Sequence, residues 1–203
     1  CYIRGEKQDY DQWQSLGARG WGWDDVLPYF KKSQNQQRGE DEYHGVGGPL
    51  EVNDLRHSDP LSQTFIEAAQ STGAKQLDDF NRDDREGVGL YQVTQVNGQR
   101  CSAAKGYLVP ALSRPNLTVM THAQVEKILL EDGRATGVRL SQKGKLITLH
   151  ADKEVLLCGG AINSPQLLML SGIGPAEHLK SHKIDVEIDL PGVGQNLQDH
   201  LDA

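Results

Sequence analysis

The stretch that decides the fold is Glu154–Gly174, EVLLCGGAINSPQLLMLSGIG. Its first five residues form a short, nearly continuous apolar run, the pattern of a strand buried on both faces of a sheet. Gly159, Gly160 and Ala161 follow, small enough for another backbone or a ligand to approach closely. Ser164 as N-cap, Pro165 at the first helical position and Gly172 past the end predict a helix of about two turns. The predicted unit is strand, glycine turn, helix, which places the chain in the α/β class. A helix start carries unpaired N–H groups and a positive dipole end, so this corner is a candidate seat for a cofactor phosphate or ribose edge.

Working back toward the N-terminus, residues 117–150 have the clearest β texture. Leu117–Thr121, Gln124–Leu130, Ala135–Ser141 and Lys145–His150 are four candidate strands, with turns at Asp132-Gly133 and Lys143-Gly144, and they predict an antiparallel meander. Before them, Asn97-Gly98 marks a tight turn after the β-leaning run Gly87–Val96. Ser102 is placed to cap a helix through Tyr107 that Pro110 ends. A helix capped by Ser58 or Asp59, with Pro60 in its first turn, carries Leu61, Phe65, Ala68 and Ala69 on one face and stops at Gly73. Pro49–Val52 reads as a short strand. Residues 34–48 read as a polar, Gly-rich loop, a candidate lid, with His44 solvated in it. Residues 75–86 read as a charged, solvated loop. Residues 9–33 predict two short helices split by Gly17 and Gly20, Asp24 capping the second, with three Trp forming a platform or core. A division near Leu112–Pro115 separates residues 1–114 from residues 115–203.

The chain has 203 residues, a net charge of −7 and 37% hydrophobic residues. It is long enough for one domain or parts of two, and apolar enough for a packed core. The acidic balance disfavours nucleic acid as a partner, which calls for a basic face. No apolar run reaches the ~18 residues of a membrane-crossing helix, and no signal peptide is visible. Cys1, Cys101 and Cys158 form neither a CxxC pair nor an even framework, which points to a reducing, cytoplasmic location; attachment at the periphery of the inner membrane stays open. Because the first residue is Cys1 and not Met, we expect a chain that is processed or part of a longer one. No G-x-G completes G-x-G-x-x-G, and G-x-S-x-G, P-loop and H-E-x-x-H motifs are missing. His178 and His182, four apart, have no third ligand beside them, so no metal site is assigned.

The run from Gly160 to Pro175, GAINSPQLLMLSGIGP, resembles the second signature of the glucose–methanol–choline (GMC) oxidoreductases. Tyr2-Ile3-Arg4-Gly5, Asp9-Tyr10-Asp11 with Trp13, Gly20-Trp21, Pro28-Tyr29-Phe30, Gly48-Pro49-Leu50, Gly98-Gln99-Arg100 with Ser102, and Gly192-Val193-Gly194 before Asn196-Leu197-Gln198-Asp199-His200 are similar to the family as well. The resemblance covers essentially the whole chain and is nearest to the choline dehydrogenase and alcohol dehydrogenase branch. It implies the middle of an FAD-dependent enzyme that oxidises the CH–OH group of a small-molecule alcohol by passing hydride to the flavin. Residues 1–114 are then mainly substrate-domain and lid segments. Residues 115–203 are mainly segments of a Rossmann-like FAD domain. The resemblance carries cofactor contacts onto Val125, through its backbone near the adenine, onto Gly159, Gly160 and Ala161 beside the adenosine half, and onto Asn196, Asp199 and His200 near the flavin side. It places the FAD fingerprint and the catalytic histidine outside these residues, so no catalytic residue is assigned here. Two alternatives stand beside it: a folded module that binds no FAD by itself, and a cyanohydrin lyase of the same family.

Overall fold

The computed structural model describes residues 1–199. The chain divides into two compact units, Cys1–Thr118 and a second that begins at Val119.

In the first unit, α1 (Lys7–Ser15) and α2 (Trp23–Ser33) form the aromatic-rich hairpin. The N-cap of α2 is Gly22, not Asp24, and the Asp25 carboxylate reaches back to the Gly22 N–H at 3.1 Å. Tyr10 packs on Trp13, Trp23 and Phe30 at centroid distances of 5.3, 5.8 and 5.8 Å. Two short parallel strands follow, β1 (Gln34–Gln36) and β2 (Leu50–Val52). Helix α3 (Pro60–Ser71) begins as its sequence predicts, with the Asp59 carboxylate accepting from the Leu61 N–H at 2.8 Å. Its buried residue is Ile66, whereas Leu61 and Phe65 are 75% and 69% exposed. The inner face is therefore turned about 100° from Phe65, one residue round the helix. Strands β3 (Gln95–Val96) and β4 (Gln99–Arg100) pair across Asn97-Gly98. Both turn residues have positive φ, +52° and +74°, as a tight hairpin demands. A π-helical turn over Ala104–Leu108 then runs into α4 (Val109–Ala111). Pro110 thus stands inside a helical run that it was expected to end, directly after the π-helical turn.

The segment read as a solvated loop is corrected most sharply. His44 is 2% exposed. Its Nε2 meets the Asp79 carboxylate at 2.7 Å, and its Nδ1 faces the side-chain amides of Gln34 and Gln36 at 3.1 and 3.3 Å. Buried Arg4 donates to Gln34 Oε1 and to the Tyr43 carbonyl, each at 2.6 Å. Gln92 closes the far side on Gln36 at 2.7 Å. Arg82 bonds Asp79 at 3.2 Å and also pairs with Asp41. Residues 75–86, read as solvated, bury Leu77, Phe80 and Asn81. No buried side-chain polar atom among the described residues lacks a partner, which is what makes so polar a core tolerable.

The second unit opens with an antiparallel meander, β5 (Ala123–Glu131), β6 (Arg134–Gln142) and β7 (Lys145–His150), in that order. Asp132-Gly133 and Lys143-Gly144 take positive φ at both positions, which fits their turns. The fourth expected strand, Leu117–Thr121, does not form. His122 has φ +53°, and this left-handed residue breaks the extended run before β5 begins. After β7, Glu154–Cys158 is extended but pairs with no strand among the described residues, and Leu156 is 79% exposed. Helix α5 (Gly160–Leu170), β8 (Ile173–Gly174), α6 (Ala176–Ser181) and β9 (Ile188–Asp189) complete the unit, with β8 and β9 parallel. Among the described residues no helix is long and apolar enough to cross a membrane.

Two outcomes follow from this architecture. Burial works against ionisation of Asp79, but the hydrogen bonds from His44 and the Asn81 N–H, with the charges of His44 and Arg82, overcome it and hold the carboxyl down at about 2. A folded-state value below the unfolded one means stability that is complete above the ordinary carboxylate range and lost as pH falls through about 2. The wild type should lose about 2 kcal/mol more than Asp79→Asn between pH ~4 and ~2, read by urea denaturation; equal slopes would refute the pairing. Gly172 has φ +88°, and a Cβ there would stand 2.6 Å from the Asp185 carbonyl oxygen. Gly172→Ala should therefore destabilise by at least about 1–2 kcal/mol in the same assay.

Candidate functional site

The glycine corner is the first turn of α5, not a loop ahead of it. Gly159 is the N-cap, Gly160 begins the helix with φ +83°, and no side chain caps the end. The expected start at Ser164 and Pro165 is thus five residues late. Gly160 can adopt the left-handed φ that lets the chain enter the helix directly from the extended segment. Pro165 inside the helix fits its φ and gives up one hydrogen bond, to the Ala161 carbonyl. A Cβ on Gly159 would press on Asn163 and Ser164 at 3.2–3.3 Å, whereas one on Gly160 would meet nothing within 4 Å. The corner is therefore packed on one side and open on the other.

Two cavities flank α5 within this unit. The first, about 380 Å³, lies between β5, the extended segment and the helix; Val125, Ile128, Leu157, Gly159, Asn163 and Leu167 are among its walls. The second, about 620 Å³, is bordered by Ala161, Pro165, Met169, Gly194 and Asn196. Gln166 borders both. Two of the sequence-derived residues, Val125 and Gly159, thus share the first cavity. Ala161 and Asn196 share the second, and Gly160 joins Gly159 to Ala161. Asn196 takes φ +55° in the turn after Gly194. Asp199 follows three residues on, and His200 lies outside the described residues.

The first cavity is apolar along its strand wall and polar at Gln124, Asn163 and Gln166. An apolar slot with few polar groups, next to the positive end of a helix, suits a flat heterocycle joined to an anion. Val125 stands where the β5–β6 register shifts, between Val125 and Lys127. Such a bulge re-aims the local backbone.

The anchor of this site was missed in the sequence. Ser171 is fully buried; its hydroxyl donates to the Leu167 carbonyl at 2.6 Å and accepts from the Ile128 N–H at 2.8 Å. Its signal was present: a serine one residue before a helix-ending glycine is placed to bond back to the carbonyl four residues earlier. The bond to a strand some forty residues away left no local trace. His178 and His182 stack edge-on at 4.8 Å, and among the described residues no group of three or more His, Cys, Asp or Glu could hold a metal ion.

Among known proteins, the chain is 48% identical over 201 residues to an oxygen-dependent choline dehydrogenase of Sinorhizobium fredii (strain NBRC 101917 / NGR234), covering 99% of this chain and 36% of that protein. It is also 48% identical over 202 residues to the protein of the same name from Brucella ovis, covering 100% of this chain and 37% of the relative. The chain thus spans little more than a third of the length of these relatives. Among solved structures, it is similar to pyridoxine 4-oxidase from Mesorbium loti, with TM-score 0.87, 35% identity and coverage of 94% of this chain and 38% of the other. It is similar too to an FAD-dependent oxidoreductase from Chaetomium thermophilum, with TM-score 0.90, 32% identity and coverage of 98% and 37%. The family model described as GMC oxidoreductase matches residues 1–202, and with that match over nearly its whole length the chain belongs to the GMC oxidoreductase family.

Proposed function

We propose that this chain is the central part of an FAD-dependent oxidoreductase acting on the CH–OH group of an alcohol, of the choline dehydrogenase type. The observation that carries the reading is the placement of Val125 and Gly159 on one cavity and Ala161 and Asn196 on the next, on either side of the open start of α5. The residues present fit a dinucleotide. The first cavity offers an apolar wall for a ring. The open face at Gly160 leaves room for a close backbone approach, and the uncapped helix end favours an anion.

On this reading, Val125 meets the adenine through its backbone. Gly159, Gly160 and Ala161 support the adenosine half, and Asn196, Asp199 and His200 run along the flavin side. Residues 1–114 belong mainly to the substrate domain and residues 115–203 mainly to the FAD domain. The run Val155–Leu157 takes its place in the sheet of that domain, which hides the apolar surface now open at Leu156. FAD, when bound, supplies the acceptor for the hydride released from the alcohol carbon. The residues described here bind and orient; the base that takes the hydroxyl proton is not assigned to any of them. The names of the relatives point to choline as the alcohol.

The test is the full-length protein. It should purify with bound flavin, and an alcohol such as choline should bleach the flavin absorbance under anaerobic conditions. A colourless protein with no alcohol turnover would count decisively against the reading. Release of aldehyde and cyanide from a cyanohydrin, with no flavin reduction, would replace it with lyase chemistry.

A further inference from the structure

We infer that Ser171 is a positioning residue for the cofactor: its hydroxyl sets the width of the cavity between β5 and α5. The inference rests on the functional reading above and extends it to a residue that never touches the ligand.

Both partners of Ser171 Oγ are cavity walls. Leu167, whose carbonyl accepts at 2.6 Å, lines the helix side, and Ile128, whose N–H donates at 2.8 Å, lines the strand side. One atom therefore spans the two surfaces that face each other across the slot. Ile128 lies on β5, which among the described residues borders only β6 in the sheet, so β5 is an edge strand whose outer N–H groups need a partner from elsewhere. Ser171 supplies one for Ile128. Val125, whose backbone the ligand would meet, lies three residues before Ile128, with the register shift between them. The bulge turns the Val125 backbone and the serine fixes the strand just past the turn. Ser171 is itself fully buried, so its hydroxyl cannot exchange these bonds for water. Removing it leaves the Ile128 N–H without a partner and frees the helix wall to shift. A ring held between two walls responds to small changes in their separation, because dispersion contacts fall off steeply with distance.

The experiment uses the full-length enzyme stripped of flavin and retitrated under conditions where each variant is folded. Ser171→Ala should bind FAD and ADP about tenfold more weakly than wild type, the scale of one buried hydrogen bond lost. FMN, which lacks the adenosine half, should bind as before. A merely structural serine would lower the melting temperature and leave the affinities of the folded protein unchanged; that result overturns the inference. Equal weakening for FMN overturns it too, since the effect would then not belong to this cavity. If Ser171→Ala does not fold, the pair Ser171→Thr and Ser171→Val isolates the hydroxyl at equal volume. Val should bind ADP about tenfold more weakly than Thr, and equal affinities refute the role. Failure of the functional reading looks different: wild-type protein would then take up neither FAD nor ADP.

Discussion

The second unit depends on one hydroxyl group. Ser171 Oγ bridges the Leu167 carbonyl and the Ile128 N–H, and among the described residues it is the polar link between the end of α5 and the middle of β5. The helix would otherwise rest on the sheet through side-chain packing alone, which tolerates sliding. A hydrogen bond between buried groups does not, because a displaced donor is left unsatisfied. The bridge fixes the end of α5, and Gly172, with its left-handed φ, turns the chain away immediately after it. The start of the helix, with Gly159 and Gly160, is then placed by the rigidity of three turns. The glycine corner is positioned from the opposite end of the helix.

The first unit is held on a different principle. Its centre is a polar net in which Arg4, Gln34, Gln36, His44, Asn81 and Gln92 are all buried. Such a centre gains less from apolar burial than a hydrophobic one, and every member must find its partner. What it supplies is definition. The net ties the N-terminal segment around Arg4, β1, the loop before β2 and the segment around Asp79 into one arrangement, and a shifted register would strand a buried amide. This explains how residues so rich in Gln, Asn, Asp and Arg form a core rather than a solvated rim.

That difference also explains which parts could be read from the sequence. The turns at Asn97-Gly98, Asp132-Gly133 and Lys143-Gly144 were legible because their positive φ values are local properties of two residues. The Asp59 cap and the Gly73 stop were legible for the same reason. His44 and Asp79 were not: each looks like a loop residue until the chain brings them to 2.7 Å across 35 positions. The corner at Gly159–Ala161 was legible as a close-approach point, but its place in the helix was not. The pair Ser164-Pro165 imitates a helix start so well that the true start, which needs only a left-handed glycine, leaves no competing mark. In the site, small residues announced themselves by what they lack, while Ser171 showed only its local bond back to the helix and not its distant partner, the Ile128 N–H.

The exposed apolar residues bear on the same question from the outside. Val155, Leu156 and Leu157 all border the first cavity, yet Leu156 is 79% exposed. An alternating strand with one solvated face would carry a polar residue at that position. A leucine there, in an extended segment with unpaired backbone, fits a strand meant to be covered on both faces. Ile162, which borders the second cavity, is exposed as well. The apolar pattern of Glu154–Cys158 reads as a strand buried on both faces, but among the described residues the segment pairs with no strand and Leu156 stays exposed. Val155–Leu157, β5 and α5 all belong to this unit, so the slot forms from its residues alone, with a wall that has an apolar side chain open to solvent at Leu156.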